Sequence, residues 1–233
     1  MIDETGDEPF WSWTDLVLFV GLGIPAFIAT FVITQLAMAP LTGNKALLLM
    51  IPQFVAQAAM LIPIALLFRW KYEQPFLSAL RLGVRVPEIW PSFGAGILVA
   101  LLVLSLATVM RIPDVPSPMR DLMKDLAAAR WIAVFAVSVG PAFEELFFRG
   151  LLQPVAVRSV GMIAGVLFSA APFAVLHGPQ YAWSWQHIAM ILIVGSAFGW
   201  WRLRTQSTGA AIVMHSGYNT VLLVGYLIGR SAL

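Results

Sequence analysis

Three uncharged runs, Leu16 to about Met38, Ala46 to Phe68 and Phe93 to Met110, decide what this chain can fold into. A helix rises ~1.5 Å per residue, so about 20 apolar residues cross the ~30 Å hydrocarbon core of a bilayer. Composition agrees over the whole length: of 233 residues, 60% are hydrophobic and 11% charged, with a mean hydropathy of +0.84. A soluble domain carries roughly 25% charged residues, and this chain lacks that polar cover. The expected fold class is all-α, a polytopic integral membrane helical bundle of about seven transmembrane helices. The remaining spans start near Trp131 and run from about Gly161 to His177, Ile188 to Trp201 and Ser207 to Ile228. Residues 1–233 then form a single membrane domain, with no room for a separate soluble one.

The connections carry the punctuation. Arg69 to Glu88 holds Arg69, Lys71, Arg81 and Arg85 and is expected at the lipid headgroups. Arg111-Ile-Pro-Asp-Val-Pro-Ser-Pro118 breaks any helix. It leads into Met119 to Arg130, whose Leu122, Met123 and Leu126 fit a short interfacial amphipathic helix. Trp11 and Trp13 read as interfacial anchors, and the acidic amino end (Asp3, Glu4, Asp7, Glu8) lacks the basic region of a cleavable signal peptide. Eight Lys/Arg fall on the side of the amino terminus (Arg69, Lys71, Arg81, Arg85, Arg149, Arg158, Arg202, Arg204) and six on the other (Lys45, Arg111, Arg120, Lys124, Arg130, Arg230), which favours a cytosolic amino terminus. The formal charge of +2 gives no reason to expect a nucleic acid, and the absence of cysteine excludes disulfides, Fe–S ligation and a thiol nucleophile. There is no phosphate loop and no haem motif.

Against this apolar background, Val139-Gly-Pro-Ala-Phe-Glu144-Glu145-Leu-Phe-Phe-Arg149-Gly150 sets two carboxylates and an arginine inside a span. Charge at membrane depth is costly and marks a functional site by default, with the pinning of neighbouring helices as the structural alternative. Glu145 and Arg149, at i and i+4, are placed to pair. Glu144 points about 100° away and is left for proton transfer, a task that a carboxyl in apolar surroundings suits. His177 ends the run Phe173-Ala-Val-Leu-His177 and shares a face with Phe173. His215 and Asn219 stand at i and i+4 in a later span. His187, beside Trp183 and Trp185, reads as interfacial, and Ser216 makes a poor nucleophile because its neighbour His215 faces another direction. Pro141 and Pro172 free carbonyls near the polar residues, and Gly195-Ser-Ala-Phe-Gly199 and Gly209-Ala-Ala suit close helix packing.

Glu144-Glu145-x-x-x-Arg149, Phe173-x-x-x-His177 and His215-x-x-x-Asn219, in that order on successive helices, resemble the CPBP intramembrane protease family. That family includes CAAX prenyl protease 2-type enzymes and the bacteriocin-processing and immunity proteins. The resemblance covers about Trp131 to Leu223, so a catalytic core lies at about 131–228, and residues 1–130 hold three spans without a recognisable motif. It implies an intramembrane endopeptidase that hydrolyses a peptide bond with glutamate-activated water. Glu144 would activate the water with His177, His215 and Asn219 would hold the oxyanion, and Glu145, Arg149 and Phe173 would support the site. In eukaryotic relatives a C-terminal tripeptide is removed from prenylated proteins. The expected partners here are the lipid bilayer and a peptide or protein substrate, lipidated or not, in a bacterial cytoplasmic membrane. A metal-free site is the preferred reading, and a divalent metal such as zinc is the alternative, for which Glu144, His177 and His215 would supply the N/O donors. The familiar HExxH helix is absent.

Two other readings stand beside this one: a non-catalytic scaffold or immunity protein of the same fold, and a small proton-coupled transporter, which would need a through-path. One expectation is in tension with the site. A span starting at Gly161 puts His177 ~24 Å along it, whereas His215 lies only ~12 Å from Ser207. The two meet only if span five starts later, tilts, or follows a long connection after Arg149.

Overall fold

The computed structural model describes residues 9–117 and 121–231 and shows eight helices and no strand among them. In chain order these are α1 (Trp13–Met38), α2 (Lys45–Lys71), the single turn α3 (Phe76–Ala79), α4 (Val86–Val109), α5 (residues 126–160), α6 (Met162–Leu176), α7 (Trp185–Thr205) and α8 (Thr208–Ser231). Five helices are long and apolar enough to cross a bilayer: α1, α2, α4, α8 and the Ala128–Val160 stretch of α5. The apolar α6 has 15 residues. α7 is long but carries Gln186, His187, Arg202 and Arg204. Val17, Leu22, Ile33 and Leu36 of α1 are turned outward, which water would not tolerate and lipid does. The protein is an all-α integral membrane bundle.

Local chemistry sets the ends. Ser12 donates to the Asp15 carboxylate through its backbone N (2.8 Å) and its Oγ (2.9 Å) at the start of α1. The same fully buried Asp15 accepts from Lys71 Nζ and Tyr72 Oη, both at 2.6 Å, which ties the start of α1 to the end of α2. Asn44 caps α2 by accepting from the N–H groups of Ala46 and Leu47. α5 and α6 form a hairpin about Gly161, whose φ of +84° strongly favours glycine.

The most extensive pairings are α1 with α2, α4 with α8, and α6 with both α5 and α7. The α4–α8 contact brings backbones together. A Cβ on Gly96 would overlap the backbone of Met214 and Tyr218, and one on Gly217 would overlap that of Phe93. Gly96→Ala therefore forces α4 off the helix that carries His215. Overpacking typically costs about 1–3 kcal/mol, and the variant is expected to melt several degrees below wild type in a thermal denaturation of the detergent-solubilised protein.

Several expectations need correction. Of the proposed interfacial helix, Met119 and Arg120 lie outside the described residues, and from Leu126 the chain already belongs to α5. Asp125 caps that helix by accepting from Ala128 N–H at 2.7 Å, so the segment runs into the span rather than along the surface. Trp11 is an internal anchor: it is 3% exposed and donates from Nε1 to the Leu151 carbonyl at 3.0 Å. The Arg69–Glu88 connection also turns inward, burying Leu80 against the core and offering the Arg81 carbonyl to Thr208 N–H at 2.9 Å. Arg149 is not in a loop but fully buried within α5, so the positive-inside count falls from eight to seven against six.

Candidate active site

α5 carries the two carboxylates through an irregular stretch. Its helix is α-wound over Leu126–Val134, Gly140–Glu145 and Gln153–Val160, but π-wound over Phe135–Val139 and Leu146–Leu152. π-turns of this kind gather at functional sites because they rotate the side chains that follow. Here they flank Glu144 and Glu145 on both sides, and the two residues diverge as neighbours on a helix must. Glu145 is fully buried, and the Glu144 side chain is 33% exposed, onto a cavity of about 570 Å³.

Behind the cavity, Glu145 is held from two sides. Arg149 Nη1 donates to its Oε1 at 3.3 Å, and Arg149 Nε stands 3.1 Å from Oε2, close enough for ion pairing although not aligned as a hydrogen bond. His215 Nδ1 lies 2.9 Å from the same Oε1. A carboxylate only accepts, so Nδ1 carries the proton and the ring's Nε2 is aimed away from Glu145. It lies 3.8 Å from Glu144 Oε2. His177 is fixed by the same logic: Nδ1 donates to the Phe173 carbonyl at 2.7 Å, and Nε2 faces Glu144 Oε2 at 4.0 Å. Two imidazole nitrogens from α6 and α8 thus converge on one carboxylate oxygen from α5.

Aromatic rings pack the floor. The Arg149 guanidinium lies 4.5 Å from the centre of the Phe173 ring, and Phe198 stacks on His215 at 4.6 Å. Arg149 Nη2 donates to Gly195 O at 2.7 Å, and one turn on Gln153 Nε2 donates to Gly199 O at 2.9 Å. The GxxxG of α7 has a physical reason here: a Cβ at either glycine would press on the polar head that its carbonyl binds.

All seven side chains marked in the sequence come together: Glu144, Glu145 and Arg149 from α5, Phe173 and His177 from the end of α6, and His215 and Asn219 from α8. Asn219 lines the cavity but turns its amide nitrogen onto the Ala136 carbonyl of α5, at 2.7 Å. Ser216 Oγ is spent on the Ile212 carbonyl. His187 stacks on Tyr181 at 4.8 Å and lines the cavity, closer to the site than an interfacial residue would be. The sequence reading missed the Glu145–His215 contact, Gln153, and the Gly195 and Gly199 carbonyls. The matched spacing of four in Arg149/Gln153 and Gly195/Gly199 was the available signal.

The depth problem resolves through α5. α6 does start at the expected place, but α5 stays helical beyond Arg149 to Val160. Gly150 packs against Thr208, so the α5–α6 hairpin runs ten residues, ~15 Å, past the level where α8 begins. His177 climbs back that distance and meets His215.

The donor set of Glu144, His177 and His215 has zinc's chemistry. Its geometry does not fit, because no group of three or more His, Asp or Glu among the described residues is arranged to hold a metal ion. No step below is therefore routed through a metal.

No curated protein and no solved structure matches the chain. Residues 126–221 do match the family model described as type II CAAX prenyl endopeptidase Rce1-like. That stretch begins with α5 and ends just beyond Asn219, so it contains every residue of the cluster described above. Over residues 126–221 the chain is similar to the type II CAAX prenyl endopeptidase, Rce1-like, family.

Proposed function

We propose that this protein is an intramembrane endopeptidase in which Glu144 draws a proton from a water held between itself and two histidines. One observation carries the reading: His177 Nε2 and His215 Nε2 stand 4.0 and 3.8 Å from Glu144 Oε2. Those separations are too long for direct hydrogen bonds and suit a single shared water oxygen. Glu144 accepts one proton of that water as its oxygen attacks the peptide carbonyl carbon. His177, with Nδ1 committed to Phe173, offers its Nε2 lone pair to the second hydrogen and so orients the attack. His215 as imidazolium keeps Nδ1–H on Glu145 and donates Nε2–H to the developing oxyanion, an interaction strengthened in a site shielded from water. Glu144 then passes its proton to the amide nitrogen as the C–N bond breaks.

The substrate class that fits is a peptide segment presented at or within the membrane, lipidated or plain. A transporter needs a path beyond Glu144. Arg149 and Gln153, behind Glu144, are fully buried and do not line the cavity, which supports a closed site rather than such a path.

The test is cleavage of lipidated and plain peptide libraries by the protein in liposomes. Glu144→Ala and His177→Ala are each expected to lower kcat/KM at least ~100-fold, the usual contribution of a positioned general base. Cleavage that survives both substitutions sinks the mechanism. A wild type that cleaves nothing in either library leaves the scaffold reading standing beside this one.

A further inference from the structure

Arg202, in the last turn of α7, is a buried base without a counter-charge among the described residues. It lies seven residues after Gly195 and three after Gly199, on the packed face of α7 whose carbonyls serve Arg149 and Gln153, and it is only 7% exposed. Other bases of the bundle are provided for. Arg149 has Glu145, and at the end where α7 stops Lys71 is paired with Asp15 and Arg85 with Glu88, while Arg158 donates to the Pro9 and Trp11 carbonyls. Arg202 Nε is sealed from the surface and unbonded, and no ion pair or hydrogen bond holds the rest of the head. The charge that acts on it is that of Arg81, of like sign. The dipole at the end of α7 favours a cation there, but Gln206 Nε2, not Arg202, serves the Leu203 carbonyl, at 2.7 Å. A guanidinium desolvated to this degree without an acceptor is strongly unfavourable, so its head calls for an anion from outside the chain.

The surroundings say which anion. Nη1 and Nη2, unlike Nε, are not sealed, so the fork of the guanidinium opens outward. Trp200, two residues before Arg202, is half exposed, and Trp70 and Trp90 at the same end of the bundle are more exposed still. Trp201 Nε1 donates to Ser92 Oγ at 2.9 Å, which fixes the end of α7 beside the start of α4. Exposed tryptophans mark the headgroup level of a bilayer. Basic pockets between membrane helices at that level bind anionic headgroups, and an arginine fork matches two phosphate oxygens. We propose that Arg202, with Arg81 nearby, binds the phosphate of an anionic phospholipid at the end of the bundle where α7 turns into α8. Arg202 does not line the cavity of Glu144, so the lipid site is separate from the peptidase reading and does not rest on it.

The test is thermal melting of the detergent-solubilised protein with added phosphatidylglycerol, phosphatidylcholine or inorganic phosphate. Wild type is expected to melt about 5 °C higher with saturating phosphatidylglycerol, by linkage to a ligand that binds only the folded state. With the other two additions it should stay within ~1 °C of its lipid-free value. Arg202→Met fills the same space without the charge. It is expected to melt no lower than wild type in lipid-free detergent, because it removes an unpaired buried cation, and to lose over half of the response to phosphatidylglycerol. Arg202→Gln serves if the methionine variant fails to accumulate. Native mass spectrometry reads the same site directly: wild type should retain a phosphatidylglycerol under conditions that strip it from the Arg202 variant. Three results would overturn the proposal: an Arg202 variant that responds to phosphatidylglycerol as wild type does, one that melts below wild type by the same margin with and without lipid, and a wild type stabilised equally by inorganic phosphate, which makes the ligand a free anion.

Discussion

Arg149→Ala is expected to cost this protein more stability than any other single truncation at the site. The guanidinium is fully buried, pairs with Glu145, donates to the Gly195 carbonyl at 2.7 Å and lies against the ring of Phe173. Truncation leaves the Glu145 carboxylate, itself fully buried, without the arginine that pairs with it. Breaking one side of a buried pair typically costs about 3–5 kcal/mol, far above the value of an exposed ion pair. Two further losses add to this: the Gly195 carbonyl loses its side-chain donor, and a hole opens between α5, α6 and α7. Arg149→Lys keeps the charge but not the planar fork that serves Glu145 and Gly195 together, so it should fall between the two. The measurement is the midpoint of thermal loss of monodisperse protein in detergent. An Arg149→Ala variant that melts within a degree of wild type would show that the pair carries no such weight.

The same residue shows why parts of the fold were legible and parts were not. Uncharged runs placed α6 and α8 to within a few residues, because Gly161 and the Gln206–Ser207 turn end helices where lipid-compatible sequence also ends. α4 begins at Val86 rather than Phe93, since Pro87 suits a first turn and Glu88 is paired with Arg85. α5 was misjudged at both ends for one reason: charge was taken to mean water. Arg149 has its counter-charge one turn away and its other acceptor on α7, so the helix continues past it for eleven residues to Val160. Pairing at i and i+4 needs no tertiary information, and Glu145 with Arg149 could be read directly. Glu145 with His215 could not. That contact joins residues 70 positions apart and depends on the rotation of α8 and on how far the α5–α6 hairpin overshoots it. The π-turns were equally hidden, since nothing in Phe135–Val139 announces them. Pro141, noted for freeing a carbonyl, was the nearest trace.

The adjacent glutamates supply the sharpest division of labour, and their glutamine variants are expected to fail in opposite ways. Glu144→Gln changes a part-exposed side chain whose nearest polar neighbours, at 3.8 and 4.0 Å, are beyond hydrogen-bond reach. It breaks no structural bond and should melt with wild type, as substitutions away from buried networks do. A glutamine amide cannot take the proton of a water, so cleavage should fall by about 10²–10⁴-fold. Glu145→Gln preserves shape and an oxygen for His215 Nδ1, yet removes the negative charge that faces Arg149 and would support an imidazolium at His215. The guanidinium keeps the Gly195 carbonyl but loses the carboxylate that pairs with it, so this variant should lose several degrees of melting temperature, in the direction of Arg149→Ala. Its cleavage should fall too, through His215, and low salt or lipid composition should not restore it because the pair is screened by neither. Reading both variants for melting and for cleavage separates the roles. Equal destabilisation at the two positions, or cleavage retained by Glu144→Gln, would remove Glu144 from the centre of the mechanism, whereas a stable but inactive Glu144→Gln beside an unstable Glu145→Gln is the pattern that a base in front of a buried brace must produce.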